Sequence, residues 1–195
     1  MSDVIKIGLK LFLITLISSI CLGLTNLVTR EPIRIQHINA ANEARQGALP
    51  QAKEFNQVTI NDELARLGAA EIIEINAGNS GNQLVGYTFK ILTKGFGGDI
   101  EIVVGINTED KVESIQIGNH EETPGLGAKM TTDSFTEQYQ NKMTDTPITV
   151  SKTSAKDQEI QAITGATMTS DSVSNGVNLA AKYYREMLIE GGGVQ

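Results

Sequence analysis

Between Lys10 and Arg30 the chain runs nineteen residues, LFLITLISSICLGLTNLVT, without a single charge. No other stretch of the sequence restricts the fold so tightly. A helix of that length, rising about 1.5 Å per residue, spans roughly 28 Å, which matches a bilayer hydrocarbon core of about 30 Å. Its apolar character runs all the way round, so as a soluble helix it would need covering on every side. A chain of 195 residues does not supply that much core. A cleaved secretory signal has a shorter apolar stretch and an A-x-A-like site. Here the run passes straight into Leu27, Val28, Thr29, Arg30, Glu31 and Pro32. A lipoprotein site at Cys21 is disfavoured because Ile20 is bulky and apolar residues continue beyond it. The expectation is an uncleaved single-pass anchor: residues 1–30 form a tail and a transmembrane helix, with the lipid bilayer as partner. Lys6 and Lys10 on one side balance Arg30 and Arg34 on the other, so the positive-inside rule gives no orientation.

Patterning changes after Arg30. Ile33, Ile35, Ile38, Ala41, Ala44 and Leu49 form a roughly helical stripe closed by Pro50, so residues 31–55 read as an amphipathic connecting helix. Strands are expected at 57–60 and 70–76, with the Gly/Asn-rich 77–82 as a turn. The strongest sheet signals are 83–92, 99–106 and 111–117, the last two joined by a hairpin-like Asn107-Thr108-Glu109-Asp110. Residues 132–142 read as a helix with a Ser134/Glu137 capping box, and 148–151 as a last strand. Val173, Val177, Ala180, Tyr184 and Leu188 mark one face of a C-terminal helix. Thr169 or Ser170 would cap that helix, Asp171 would lie in its first turn, and Gly191–Gly193 would end it. Strand runs bracketed by helices give an α+β fold class: an anchor followed by one α+β domain over residues 56–190.

Charge and composition exclude several functions. Residues 1–30 sum to +2 and the whole chain to −7, leaving −9 on the rest. An acidic domain without a basic stripe repels phosphate backbones, so nucleic acid is not an expected partner. Cys21 is the one cysteine, and His37 and His120 are the only histidines. That set offers no thiol-rich cluster and no paired histidine ligands, so no metal site is expected and redox chemistry would need a bound organic cofactor.

Two loops can carry such a cofactor. His120-Glu121-Glu122-Thr123-Pro124-Gly125-Leu126-Gly127 follows a strand, and its glycines and proline impose an unusual backbone path. By itself it reads as a plain structural turn. Gly125-x-Gly127 is too short for a dinucleotide fingerprint, and Ala128-Lys129 lacks the spacing of a phosphate-binding P-loop. Gly95-Phe96-Gly97-Gly98 reads as a tight hairpin turn. The second loop, Ile163-Thr164-Gly165-Ala166-Thr167-Met168-Thr169-Ser170, presents hydroxyls on a thin stretch of chain just before a helix. A helix N-terminus favours a phosphate there, bound or esterified, although a plain capping cluster would look the same.

Taken together, Gly95-Phe96-Gly97-Gly98, Glu122-Thr123-Pro124-Gly125-Leu126-Gly127 and Thr164-Gly165-Ala166-Thr167 with Thr169-Ser170 resemble a known FMN-binding domain. It is shared by the G subunit of Rnf electron-transport complexes and the C subunit of sodium-pumping NADH:quinone oxidoreductases. The motifs keep the family's order and spacing behind an N-terminal membrane helix. The resemblance implies an FMN-binding region of about 95–189. It also implies FMN joined through its phosphate to Thr167, with Thr164, Gly165 and Ala166 around the attachment. Glu122, Thr123, Leu126 and Lys129 would border the isoalloxazine ring. One position departs: the family usually has an aspartate three residues before the first hydroxyl, and this chain has Gln161. A transferase that reads that aspartate would modify this chain more slowly.

The implied role is an electron carrier, not a complete enzyme by itself, in a complex that exchanges electrons between ferredoxin and NAD while moving Na⁺ or H⁺. Its partners would be the other Rnf-type subunits and a flavin transferase. Its place would be the bacterial inner membrane, with the domain on the extracytoplasmic side. The absence of tryptophan and the GFGG turn disfavour the quinone-reductase relative, which is the alternative. A membrane-tethered adaptor without redox function is a second alternative.

Overall fold

The computed structural model describes residues 3–60, 65–153 and 156–189. The chain divides into two compact units, one up to Asn42 and the other from Glu43 onward.

The first unit is helical. Helix α1 runs Asp3–Ala48, and its last turn and a half belong to the second unit. An 18-residue window of α1 has a mean hydropathy of 2.2, and none of that window is buried by protein. Leu11, Phe12, Leu13, Ile14, Ile17 and Ile20 all face outward, as they would toward lipid. The hydroxyls of Thr15, Thr25 and Thr29 donate to carbonyls one turn back, so these polar side chains satisfy themselves on the helix. The separate helix expected from residue 31 is instead a continuation of α1 through Pro32, and it ends at Ala48. Proline removes one intrahelical donor, but long helical flanks on both sides hold the path.

The second unit is α+β. An antiparallel sheet runs in the order β1 (Glu54–Val58), β3 (Ala70–Ser80), β4 (Gln83–Lys94), β5 (Asp99–Asn107) and β6 (Val112–His120), and β2 (Arg66–Leu67) also pairs with β3. One sheet face carries Ile72, Ile75, Phe89, Ile91, Ile100, Ile102, Val104 and Ile106, all buried. Helix α3 (Thr167–Tyr183) packs on it through the expected stripe of Val173, Val177, Ala180 and Tyr184. Near the end of α1, Arg45 holds Glu74 of β3 at 2.5 Å.

Local readings shift where pairing overrides propensity. Residues 77–80, expected as turn, are strand: β1 pairs β3 from Glu54↔Asn79 to Val58↔Ile75, and β4 takes the other edge. Only Gly81 and Asn82 turn. The expected helix at 132–142 is broken into α2 (Asp133–Thr136) and a short 3-10 turn (Glu137–Tyr139), preceded by another at Gly127–Thr131. The residue before α2 is Thr132, and Ser134 shares a 3.1 Å hydrogen bond with it instead of forming a capping box with Glu137. Phe135 and Tyr139 are buried along this path, with the Tyr139 hydroxyl 2.8 Å from Ser174 on α3. The strand expected at 148–151 is β7 (Thr149–Ser151), and it pairs in parallel with an unforeseen β8 (Glu159–Gln161). The glycines expected to end the C-terminal helix lie outside the described residues.

Candidate functional site

The two loops and the GFGG turn meet at one carboxylate. Lys94 and Asp99 close the β4–β5 hairpin, and the Gly95 N–H donates to the Gly98 carbonyl at 2.8 Å. Two amides at the tip of that hairpin point inward: Phe96 N–H and Gly97 N–H donate to Glu122 Oε1 at 2.6 and 2.9 Å. The other oxygen, Oε2, accepts the Thr169 hydroxyl of α3 at 2.8 Å. Glu122 is only 6% exposed. Burial alone would raise its pKa, but the Gly97 amide, the Thr169 hydroxyl, the Phe96 amide and nearby His120 outweigh it and hold the carboxyl below its usual range. The Glu122 N–H donates to His120 Nδ1 at 3.3 Å, which fixes the backbone of the loop. The chain leaves room for this carboxylate on two sides, because a side chain at Gly95 or Gly127 would collide with its oxygens.

The start of α3 is built differently from the expected cap. The residue before the helix is Ala166, which has no capping side chain. Thr169 and Ser170 lie inside the first turn and serve tertiary contacts instead. Thr169 reaches Glu122, and Ser170 Oγ accepts the Ile163 N–H at 3.0 Å while donating to the Ala166 carbonyl at 3.1 Å. Ser172 donates to the Lys94 carbonyl at 2.6 Å, tying the helix to the hairpin. Among the described residues the N–H groups of Thr167, Met168 and Thr169 meet no acceptor. These are the orphan donors of a helix N-terminus, where the helix dipole adds positive potential.

The site residues expected from sequence fall into two groups. Thr167 is the first residue of α3, half-buried, and its hydroxyl has no hydrogen-bond partner among the described residues. Thr164 and Gly165 are exposed in the preceding turn, and Ala166 is buried beneath it. Gly165 adopts φ of 82°, a left-handed conformation, and faces Leu126 closely enough that an added Cβ would touch its Cδ2 at 3.3 Å. Leu126 thus joins the two loops while remaining 45% exposed. Thr123 is exposed and Lys129 is on the open side of its short helix; the Thr123 carbonyl organises the loop by accepting from Leu126 and Ala128. Glu122 belongs to the buried clamp, with both oxygens engaged by the protein.

Sequence reasoning did not single out Phe96 and Met168 as site residues, although both are large, apolar and strongly exposed, like Leu126. Thr169 reads from sequence as a cap, not as a clamp residue. The signal that could have found the clamp is the set of glycines at 95, 97, 98 and 127, which marks a close approach of backbones.

Exposed apolar side chains on the three converging segments, with an unpartnered hydroxyl at a helix N-terminus, suit a phosphorylated aromatic cofactor. Residues 95–182 match the family described as FMN-binding domain. The chain is 35% identical, over 94% of its length and 93% of the relative's, to the G subunit of the Na⁺-translocating ferredoxin:NAD⁺ oxidoreductase complex of Acetobacterium woodii. It is 28% identical, over 93% and 94%, to the G subunit of the ion-translocating oxidoreductase complex of Methanosarcina acetivorans. Among solved structures, the C subunit of the Na⁺-translocating NADH-quinone reductase from Parabacteroides distasonis shares the fold. Its TM-score is 0.52 at 20% identity, covering 74% of this chain and 94% of that one. Fold and site therefore define an FMN-binding domain behind an N-terminal apolar helix. The chain belongs to the family of G subunits of Rnf-type ion-translocating ferredoxin:NAD⁺ oxidoreductase complexes. It is an electron-transfer subunit of an ion-translocating oxidoreductase, and its helix fits a single-pass membrane protein.

Proposed function

We propose that this subunit carries FMN as a phosphate ester on Thr167 and relays electrons through it on the extracytoplasmic side of a bacterial membrane. The complex it serves exchanges electrons between ferredoxin and NAD and couples that exchange to Na⁺ or H⁺ movement. One observation carries the attachment. Among the described residues Thr167 Oγ1 has no partner, and it stands at the N-terminus of a 17-residue helix whose first three amides meet no acceptor. A phosphodiester there bears one negative charge, which those amides and the helix dipole stabilise.

Esterification by loss of water is unfavourable in water, so the donor is a flavin phosphoanhydride of the dinucleotide class, used by a flavin transferase. Thr167 Oγ1 attacks the phosphorus on the flavin side. The Oγ1–P bond forms, the anhydride P–O bond breaks, a nucleoside monophosphate leaves, and the hydroxyl proton passes to a base on the transferase. When bound, the flavin supplies one- and two-electron carriage. The chain's residues tether and orient it: Thr167 holds the phosphate, and Leu126, Met168 and Phe96 offer apolar surface beside it. Thr123, Thr164 and Lys129 are polar groups on the open side, where Lys129 can face a phosphate or ring oxygen. The flanking charges balance, so the extracytoplasmic side is supported by the family resemblance and not by charge.

The test uses the full chain made in membranes together with a flavin transferase. The wild-type band should fluoresce after denaturing electrophoresis, and peptide mass spectrometry should place the flavin on Thr167. Thr167→Ala should abolish the label, and Thr164→Ala should retain most of it. The fold should lose under about 0.5 kcal/mol in Thr167→Ala, because the hydroxyl makes no internal bond. Flavin mapped to Thr164 or Thr169 would overturn the assignment, and a colourless wild-type band would favour the adaptor.

A further inference from the structure

Deepening the reading above, on which it rests, we propose that Glu122 is the positioning residue that aligns Thr167 for flavin attachment without touching the flavin. The reason lies in helix geometry. Successive residues of an α-helix are about 100° apart, so positions 167 and 169 lie roughly 200° apart around the axis. A Thr169 drawn inward onto Glu122 Oε2 turns Thr167 outward. The burial agrees: Thr169 is 1% exposed, whereas Thr167 is half-buried and open at its hydroxyl.

Glu122 is also the group that fixes this first turn against the other two segments of the site. Its Oε1 gathers the GFGG turn through two amides, and its own loop continues into Leu126, which packs on Gly165. Phe96, Leu126 and Thr167 come from segments far apart in sequence, and Glu122 bonds to two of those segments from within the third, while Ser172 ties α3 to the hairpin further along. Reactions between positioned groups are sensitive to this kind of register, and a misplacement near 1 Å can cost about a hundredfold.

The experiment follows flavin attachment over time in the full-length chain co-expressed with a flavin transferase, by in-gel fluorescence and peptide mass spectrometry. Melting temperatures are recorded in parallel, and attachment is measured well below each. Glu122→Ala and Thr169→Val should slow attachment about tenfold or more. Glu122→Gln, which keeps an acceptor for both turn amides, should recover a large part of the rate. Val177→Ala, a core change on the same helix remote from the clamp, controls for plain destabilisation and should leave the rate unchanged. Should Glu122→Ala fail to fold, Thr169→Val decides, because it leaves the turn amides satisfied. Wild-type attachment rates in a folded Thr169→Val, or an equal slowing in Val177→Ala, would overturn the proposal. A wild-type chain that never acquires flavin on Thr167 would overturn both this proposal and the attachment reading beneath it.

Discussion

Gly127→Ala adds one methyl group at the most crowded point of the site. Its Cβ would lie 2.1 Å from Glu122 Oε2 and 2.9 Å from Thr169 Oγ1, inside the 3.0 Å limit that real Cβ contacts respect. The carboxylate would have to retreat by about 1 Å, and interiors packed to crystal density offer little such room. Retreat is blocked on the far side too. Oε1 is held there by the Phe96 and Gly97 amides at 2.6 and 2.9 Å, bonds that any retreat would stretch or break. Overpacking of this kind costs about 1–3 kcal/mol, and losing the charge-assisted bond to Thr169 adds about 1.5–3 kcal/mol. For a domain of this size the melting temperature falls about 2–4 °C per kcal/mol, so a drop of roughly 5–24 °C is expected. Gly125→Ala is the matched comparison two residues away. Gly125 has φ of 78° with nothing within 4 Å of an added Cβ, so its cost is backbone strain alone, about 1–2 kcal/mol or roughly 2–8 °C. Thermal melts of the detergent-solubilised full chain, followed by circular dichroism, would measure both. A Gly127→Ala protein melting no lower than Gly125→Ala would refute the steric account of the clamp.

Two further outcomes follow from the same contacts. Tyr139→Phe and Ser174→Ala should each cost about 1–2 kcal/mol, because each leaves the other buried hydroxyl without its 2.8 Å partner. The double variant should cost clearly less than their sum, and strict additivity in chemical denaturation would show that this bond does not couple α3 to the Phe135–Tyr139 segment. The second concerns pH. Because the folded-state pKa of Glu122 is depressed, its contribution is fully present above the unfolded value near about 4.3 and is lost as pH falls through the lower folded value. The stability gap between wild type and Glu122→Gln should therefore be constant near neutrality and close in acid. A gap that widens toward pH 3 would mean that burial, not hydrogen bonding, governs the carboxyl.

Much of this protein is written in short-range pattern. The charge-free run at 11–29, the alternating strands at 83–92 and 99–106, and the four-three-four stripe of α3 are each decided by neighbours within one or two turns or pleats. The hydroxyl-bearing loop before α3 is legible for the same reason, since a helix start and its orphan amides are local properties. What only the tertiary structure decided are meetings at long separation. Glu122 meets Thr169 across 47 residues and Phe96 across 26, so no periodicity connects them. Their meeting turns Thr169 from an expected cap into part of a clamp. The segment expected as one helix at 132–142 likewise makes a meeting at long separation, because Tyr139 enters the core and reaches Ser174 across 35 residues. Local propensity is worth tenths of a kcal/mol per residue, whereas a buried aromatic or a satisfied carboxylate is worth several times more. Where the two compete, burial and long-range hydrogen bonding prevail, and they act only once distant segments are in contact.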